Sequence, residues 1–343
     1  MSEKRTELGE LGEFALIDRL TKGFKTKNKS TIKAIGDDAA VIENTNKMVS
    51  VISTDMLLEG IHFDLSYMPL RHLGYKAVVV NISDIYAMNA IPKQITVSLA
   101  ISNRFSVEAL ELFYTGVKDA CKKYKLDLVG GDTSSSLKGL IINITAIGEA
   151  KKENIVYRNG AKEGDLICVT GDLGAAYLGF QVLNREKQVF EENPNAQPDI
   201  SKHKYLVGRQ LKPEAKPQLI SYFKDYEIKP TSMIDISDGL SSELLHLSKQ
   251  SNIGCKIYDA NLPISKEVFD LAIELNLDPM MCALSGGEDY EMLFTINPKD
   301  EFKINETEID VSFIGEIVKK EIGCKIVTES GNEHELVAQG WKN

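Results

Sequence analysis

The sequence has no long apolar run and no block of basic residues, and each absence excludes a class of protein. No stretch approaches the roughly 18 apolar residues that a membrane span requires, and the opening residues MSEKRTELGE lack the apolar core of a signal peptide. The formal net charge is −10, and the scattered lysines and arginines could not follow a phosphate backbone. We therefore expect a cytoplasmic protein that binds neither membranes nor nucleic acids.

Cysteine is scarce, and the common nucleotide-binding motifs are missing. The five cysteines show no CxxC spacing and are odd in number, which argues against a disulfide framework and a zinc site and favours buried thiols. The chain contains no GxxxxGK[ST] loop, no GxGxxG after a predicted strand, and no HRD or DFG set. The glycine-rich segment TGDLGAAYLGF (170–180) has the spacing of neither loop.

Length and patterning indicate two domains of mixed secondary structure. A chain of 343 residues exceeds one average domain, and 43% hydrophobic residues suffice for packed cores. Strand and helix patterns interleave, which predicts an α+β (mixed α/β) fold. The glycine and lysine residues of the segment RNGAKEGDLICVTG (158–171) are typical of a domain junction that precedes a new strand. We place the boundary near residue 150, giving domains 1–150 and 151–343.

Apolar periodicity predicts the individual elements. A β-branched strand over 47–55 ends at Asp55, and another ends at Asp132 through a pair of glycines. The polar segment 184–205 is predicted to be an exposed excursion. The other predicted elements are helices 12–20, 107–124, 174–184, 205–225 and 240–251, and strands 92–102, 140–150, 232–236, 253–258 and 291–296.

Acidic residues recur in short motifs, mostly beside glycines. Taken alone, an Asp-Gly pair usually forms a turn, because both residues tolerate turn conformations. However, Asp55 and Asp132 follow predicted strands, and the ends of strands are where α/β folds place ligand-binding groups. The glycines before Asp132 would let backbone N–H groups approach a phosphate. The six motifs are IGDDAAVI, ISTDML, NISDIYAMNA, LVGGDTSSS, IDISDGL and LSGGEDYEML.

Asp84 is the most unusual of these acids, because it lies in an apolar run that begins at Ala77. Asn81 is one helical turn away on the same face, so both side chains could point into one cleft. In DISDGLSSELLHL, Asp238 occupies the expected N-cap of a helix, which offers it a purely structural role. Capping does not explain Asp235 and Ser237.

Convergence of these acids would demand cations. Two carboxylates about 4 Å apart repel by roughly 4 kcal/mol at an effective dielectric constant near 20, so several together require bound ions. Oxygen ligands without histidine or cysteine select hard ions such as Mg²⁺, usually with phosphate. Arg158 is the best-placed cation for a phosphate. His62, just after Asp55, is explained equally well as a surface histidine.

The motifs, in their order along the chain, resemble the thiamine-monophosphate kinase family, within the superfamily of aminoimidazole ribonucleotide synthetase, selenophosphate synthetase and HypE. The resemblance spans residues 12 to 341. It rests on GEFALI, GDDAAVI, STDMLLEGIHF, YKAVVVNISDIYAMNA, VGGDTS, RNGAKEGDLICVTGDLGAAYLG, DISDGLSSELLHLS, LSGGEDYEMLFT and the terminal QGW.

The resemblance implies direct, Mg²⁺-assisted phosphoryl transfer from ATP to thiamine monophosphate, the final step of thiamine diphosphate biosynthesis, by a homodimer. It implies several magnesium ions and assigns no single catalytic base. The first domain of the protein would bind ATP and Mg²⁺ and form the dimer, and the second domain would complete the nucleotide and substrate site. The implied residues are Asp38, Ser53, Thr54, Asp55, Asp84, Asp132, Asp235 and Asp238 for metal, Tyr114, Gly131, Asp132, Arg158 and Ser237 for ATP, and His62, Glu288 and Trp341 for substrate.

Three departures and three alternatives accompany this resemblance. Asn89 and Asn159 stand where the family usually has other residues, and QGWKN lacks a common His-Phe ending. A sister activity is the nearest alternative, although GGEDYE and EGIHF favour the kinase and no cysteine precedes Cys121, as a selenophosphate synthetase would require. A nucleotide-binding scaffold without transfer would bind ATP without turnover. A purely structural protein would need all six motifs to be turns, and Trp341 would then only dock the C-terminus.

Overall fold

The computed structural model describes residues 13–45, 47–193, 195, 199–306 and 309–338. Within these ranges the chain forms ten α-helices and thirteen β-strands. The helices are α1 (Glu13–Thr21), α2 (Leu70–Ala87), α3 (Val107–Tyr124), α4 (Ala175–Glu192), α5 (Lys204–Leu211), α6 (Pro217–Asp225), α7 (Leu240–Ser251), α8 (Lys266–Glu274), α9 (Pro279–Ser285) and α10 (Glu301–Asn305). The strands are β1 (Thr31–Lys33), β2 (Ala40–Thr45), β3 (Met48–Leu58), β4 (Ile91–Ile101), β5 (Asp127–Ser135), β6 (Leu140–Lys151), β7 (Leu166–Thr170), β8 (Ser232–Asp235), β9 (Gly254–Tyr258), β10 (Met292–Ile296), β11 (Val311–Val318), β12 (Cys324–Val327) and β13 (Glu333–Glu335).

The first sheet has six strands in the order β1-β2-β3-β6-β4-β5. Strands β3 and β6 pair antiparallel along their whole length, while β5 runs parallel to β4 at the edge. Buried and half-buried residues alternate along β6 from Leu140 to Ile147, the period of two expected when the two faces differ in cover. Helix α2 contacts β3, β6 and β4 and so covers the buried face.

The second sheet has seven strands in the order β13-β12-β9-β11-β7-β10-β8. Strands β8 and β10 are buried at every position, as in sheets covered on both faces. Although β8 lies at the edge of this sheet, helix α2 contacts it as well. Helix α2 therefore lies between the two sheets and touches both.

The sequence of α2 explains why it can occupy this central position. From Leu73 to Ala87 its residues are buried, apart from the half-buried Asp84. A helix that is buried on all sides belongs to the core rather than to the surface. Two glycines also allow a close crossing with α3: a Cβ on Gly74 would lie 2.0 Å from the carbonyl oxygen of Phe113, and one on Gly116 would lie 1.8 Å from that of Arg71.

Two strands continue past the acids that were expected to end them. Strand β3 pairs with β6 as far as Leu58, and β5 pairs with β4 as far as Ser135. The expectation that Asp55 and Asp132 terminate strands is therefore wrong. Both acids lie within strands because the neighbouring strand continues to supply hydrogen-bonding partners.

The predicted helix 205–225 is also wrong, since the chain forms α5 and α6 with a break between them. Pro213 lies in the break and Pro217 is the first residue of α6, where the missing N–H is tolerated. Helix α4 runs to Glu192, so the segment predicted as an exposed excursion begins as helix. The predicted helices 107–124 and 240–251 are confirmed with the predicted bounds.

The predicted mixed α/β class is confirmed by two mixed sheets with flanking helices. All five cysteines are free thiols, and four of them are buried. None of the helices in the described ranges combines the length and apolar composition of a membrane span.

Candidate active site

Three of the predicted acids meet where the two sheets face α2. Carboxylate oxygens of Asp38, Asp84 and Asp235 all lie within 4.8 Å of one another. Asp38 lies just before β2, Asp84 is in α2, and Asp235 ends β8. The cluster therefore joins a turn, a core helix and a strand of the second sheet, which no local sequence pattern could reveal. We name these three residues the acid cluster.

Helix α2 fixes the geometry of the acid cluster by bonding to both sheets. The hydroxyl of Ser53 in β3 donates to Oδ2 of Asp84, and the hydroxyl of Ser83 donates to Oδ2 of Asp235 at 2.6 Å. The side-chain oxygen of Asn81 accepts the backbone N–H of Asp55 at 2.9 Å. Adjacent residues of one helix thus hold acids from different parts of the fold.

The electrostatics of the cluster favour a bound cation. Burial raises the pKa of Asp84 well above its usual value, and the charges of Asp55, Asp235 and Asp38 raise it further. Burial likewise raises the pKa of Asp38 to about 7, although Arg158 opposes the shift. It raises the pKa of Asp235 to about 6 against the hydrogen bond from Ser83. Like charges in low dielectric disfavour ionisation until a positive ion joins them.

The donor atoms fit a hard divalent ion. The cluster offers carboxylate oxygens with a serine hydroxyl beside them and includes no nitrogen or sulfur ligand, the set that Mg²⁺ prefers. Oδ2 of Asp38 is buried and has no hydrogen-bond partner among the described residues. A buried carboxylate oxygen without a donor is suited to a metal ion.

Arg158 lies at the edge of the acid cluster. One guanidinium nitrogen donates to Oδ1 of Asp38 at 2.6 Å, and its backbone N–H donates to Oδ1 of Asp37 at 3.1 Å. Lys33 lies 3.1 Å from the other oxygen of Asp37. Asp37 and Lys33 therefore form a support for the arginine that was not predicted, although Asp37 stands beside Asp38 in the sequence.

Two predicted metal ligands, Thr54 and Asp132, lie outside the acid cluster. Side chains alternate along β3, so Ser53 and Asp55 share the face toward α2 while Thr54 points to the other face. The hydroxyl of Thr54 bonds to the backbone oxygen of Ile144 at 3.2 Å in β6. Asp132 is exposed on β5 at the edge of the first sheet.

Asp238 is not the N-cap of α7, so that part of the prediction is wrong. The cap is Gly239, whose positive φ of 117° suits glycine. The backbone N–H of Asp238 instead donates to Glu243 at 2.9 Å, and Glu243 is buried. Asp238 is therefore held half-buried in front of the helix rather than used as its cap.

The predicted nucleotide residues fall in two places. Tyr114 lines a cavity of about 330 Å³ between α3 and β5, together with Lys118, Cys121 and Leu128. Gly131 lies in β5, where a Cβ would come 1.8 Å from the carbonyl oxygen of Val97. In contrast, Arg158 contacts the acid cluster. Ser237 follows Asp235 by two residues, and its carbonyl accepts the backbone N–H of Glu288.

The predicted substrate residues His62 and Glu288 share one electrostatic environment. Burial lowers the pKa of His62. The charge of Glu288 raises this pKa, and the charge of Lys76 lowers it. Nδ1 of His62 accepts the backbone N–H of Leu58 at 3.0 Å. Trp341, the third predicted substrate residue, lies outside the described residues.

Two residues that contact Glu288 were missed by the sequence analysis. Nζ of Lys76 lies 3.1 Å from Oε1 of Glu288, and Nε2 of Gln210 donates to Oε2 at 2.7 Å. Lys76 precedes the apolar run AVVV of α2, so the signal that identified Asp84, a charge in a buried helix, could have found it. No comparable signal marks Gln210.

The glycine-rich segment 170–180 supports the GGEDYE motif. Backbone N–H groups of Gly174 and Ala176, at the start of α4, donate to the buried carboxylate of Asp289 at 2.8 and 3.3 Å. The hydroxyl of Thr170 donates to the fully buried Glu291 at 2.6 Å. The backbone N–H groups of this glycine-rich segment therefore donate to a carboxylate of the chain itself, whereas those of a phosphate-binding loop would donate to a nucleotide.

Known proteins resemble this chain over nearly its full length. A family model described as AIR synthase related protein, N-terminal domain, matches residues 36–150. Thiamine-monophosphate kinase of Aquifex aeolicus is 37% identical over 330 residues, covering 95% of this chain and 99% of the relative. That of Bacillus subtilis is 33% identical over 302 residues, covering 87% of each.

Solved structures also resemble this chain over nearly its full length. AaThiL complexed with AMPPCP and TMP matches with a TM-score of 0.82 at 32% identity, covering 99% of each chain. The hydrogenase maturation protein HypE in complex with ATP matches with a TM-score of 0.69 at 19% identity, covering 96% of each, and shares the fold.

Proposed function

Because this chain belongs to the thiamine-monophosphate kinase family, we propose that it transfers the γ-phosphoryl group of ATP directly to thiamine monophosphate, giving thiamine diphosphate and ADP. Its relative AaThiL is complexed with TMP and with AMPPCP, an analogue of ATP. The observation in this chain that carries the proposal is the convergence of Asp38, Asp84 and Asp235 in a site of buried oxygen ligands. Such a site suits a ligand rich in phosphate only when cations are present.

Magnesium would be held by the acid cluster together with Ser53, Thr54, Asp55 and Asp132, and Asp238 would bind a further magnesium ion. When bound, it would neutralise charge on the phosphates of both substrates. The chain's own part is positioning. Ser53 and Ser83 orient two of the acids, and Asn81 holds the backbone at Asp55, so the ligand atoms are arranged before substrates arrive.

No general base is needed, because the acceptor oxygen belongs to a phosphate that is already anionic. We therefore assign no single catalytic base, and the rate depends on alignment and charge neutralisation. We propose Tyr114, Gly131, Asp132, Arg158 and Ser237 as ATP contacts. His62, Glu288 and Trp341 would bind thiamine monophosphate. The side chain of Tyr114 already lines a cavity at the sheet edge, which supports its assignment to the nucleotide.

We further propose that the protein is a homodimer formed by its first domain, residues 1–150, with residues 151–343 completing the site. Every residue of the edge strand β5 is exposed, and Leu128 and Val129 are 46% and 57% exposed. An exposed edge strand offers unpaired N–H and C=O groups with which another chain can pair.

The test is an assay of ADP release with ATP, Mg²⁺ and thiamine monophosphate, comparing wild type with Asp84→Asn. We expect turnover that depends on thiamine monophosphate and falls at least 100-fold in the variant. Asp119→Asn is the matched control, because it removes an exposed acid whose contact is Arg71 and should leave turnover unchanged.

Two outcomes would contradict the proposal. Folded wild type that releases no ADP with thiamine monophosphate would refute the kinase activity, and formylglycinamidine ribonucleotide and selenide would be tested next as acceptors. Full turnover in Asp84→Asn would keep the activity but exclude the metal-binding role of this acid.

A further inference from the structure

Lys76 is the least expected charge in the core. It is 1% exposed in the middle of the apolar face of α2, between Tyr75 and Ala77. A buried ammonium is strongly unfavourable unless it is paired and hydrogen-bonded. Nζ of Lys76 donates to the backbone oxygen of Gln210 at 3.1 Å and lies 3.1 Å from Oε1 of Glu288. The position is therefore stable only because the second half of the chain supplies both acceptors.

The carboxylate of Glu288 is held from two sides. Lys76 contacts Oε1, and the side-chain amide of Gln210 donates to Oε2 at 2.7 Å. With each oxygen taking a separate donor, the plane of the carboxylate cannot rotate freely. The side chain of Glu288 is nevertheless 33% exposed, so one side of it stays open to a ligand.

The backbone of Glu288 is fixed as well. Its φ of +57° is unusual for a residue with a side chain, and its N–H donates to the carbonyl of Ser237 at 2.7 Å. Gly287, at φ +70°, allows this approach, because a Cβ there would lie 2.7 Å from the same carbonyl oxygen. Backbone conformations of this kind persist where surrounding structure determines them, often at binding sites.

The neighbourhood of Glu288 is otherwise acidic. Tyr290, two residues further on, experiences the charges of Glu288, Asp55, Asp235 and Asp84 together. An ionised Glu288 close to these other carboxylates would be electrostatically unfavourable without a nearby cation. Among the ion pairs of the described residues, Lys76 supplies that cation to Glu288.

We propose that Lys76 is a positioning residue for the acceptor substrate, holding Glu288, with Gln210, so that its open side receives the positively charged thiazolium ring. This inference rests on the proposed function. The ammonium lies on the α2 side of the carboxylate, so it orients Glu288 without occupying the open side. Because Lys76 is 1% exposed and both of its partners are residues of the chain, it would act on the substrate through Glu288. Its loss should therefore weaken binding of thiamine monophosphate far more than binding of ATP.

The test is a double-mutant cycle on steady-state kinetics. Lys76→Met keeps the length and apolar stem of the side chain but removes the charge, and Glu288→Gln removes the carboxylate. We expect Lys76→Met to raise the KM for thiamine monophosphate at least tenfold and to change the KM for ATP less than threefold. The double variant should be no worse than Glu288→Gln alone, because both changes disable the same contact.

Two further variants serve as controls. Gln210→Met removes the other donor to Glu288 without burying a charge, and it should raise the same KM even if Lys76→Met folds poorly. Lys123→Met removes a lysine that pairs with Glu214 at 2.6 Å, also a contact between a helix of the first half and the second half. It should leave both KM values unchanged.

The outcomes separate this inference from the proposed function. Additive losses in the double variant, or equal increases in both KM values, would assign Lys76 a merely structural role. An unchanged KM for thiamine monophosphate in both Lys76→Met and Gln210→Met would overturn the inference. A folded wild type that turns over without any requirement for thiamine monophosphate would refute the proposed function itself, and this role of Lys76 with it.

Discussion

Removing one acid from the cluster should stabilise the metal-free protein while it destroys activity. Asp84→Asn keeps the size of the side chain and an oxygen that can accept from Ser53, so the packing of α2 is conserved. It removes a charge that faces two others within 4.8 Å. The variant therefore isolates the electrostatic cost of the cluster from its packing.

The size of the effect follows from the geometry. At 4.8 Å, each pair of ionised carboxylates repels by about 3.5 kcal/mol at an effective dielectric constant of 20. Asp84 takes part in two of the three pairs. Protonation relieves part of this repulsion, because burial raises the pKa of Asp84 well above its usual value. We expect a net gain of about 2 to 4 kcal/mol in the free energy of unfolding of the metal-free protein.

The measurement is thermal unfolding in EDTA and in excess Mg²⁺. A chain of this length unfolds with an entropy of about 0.7 kcal/mol/K, so Asp84→Asn should raise the Tm in EDTA by about 3 to 6 °C. Mg²⁺ at 100 times its Kd should stabilise wild type by about 2.7 kcal/mol. It should stabilise the variant much less. Asp119→Asn should shift neither Tm.

A lower Tm of Asp84→Asn in EDTA would refute this reasoning. It would mean that hydrogen bonds satisfy the Asp84 carboxylate in the metal-free protein and that the cluster carries no electrostatic cost.

Two further predictions concern packing and pH. Gly116→Ala places a methyl group 1.8 Å from the carbonyl oxygen of Arg71. We therefore expect urea unfolding to show a loss of about 2 to 4 kcal/mol in stability, despite the better helix propensity of alanine. An unchanged unfolding midpoint would contradict the tight α2–α3 crossing. Burial lowers the pKa of His246 to about 4, with Arg158 and Lys249 adding to the shift. The unfolded chain therefore takes up this proton near pH 6.5 and the folded protein only near pH 4, so stability is lost as the pH falls through that interval. His246→Gln should reduce the loss, and identical pH profiles for the two proteins would disprove it.

The sequence predicted best where local periodicity decides the structure. Helices α3 and α7 have the predicted bounds, because their apolar stripes are local, although the N-cap of α7 is Gly239 and not the predicted Asp238. Asp84 was recognisable as a charge inside a buried helix. The bounds of β3 and β5 were not predictable, since they depend on how far the strands β6 and β4 run beside them.

Contacts between distant segments could not be read from the chain at all. Asp235 is brought to Asp84 by the packing of β8 against α2, and Asp38 reaches the same point from the turn before β2, so neither motif carries information about the other. The same holds for Glu288, whose partners Lys76 and Gln210 come from α2 and α5. The family resemblance supplied the expected roles of these acids, and the structure supplies the supporting residues.

Helix α2 is a fixed spacer between the acid cluster and the ion pair of Lys76 with Glu288. Lys76 and Asp84 are eight residues apart on one continuous helix, which separates them by about 12 Å along the axis. Deleting a single residue between them would turn one end by about 100° relative to the other. Insertions and deletions in this helix should therefore be excluded in any working member of the family. Changes in acceptor preference should arise instead around Gln210 and Glu288, which can vary without moving the acid cluster.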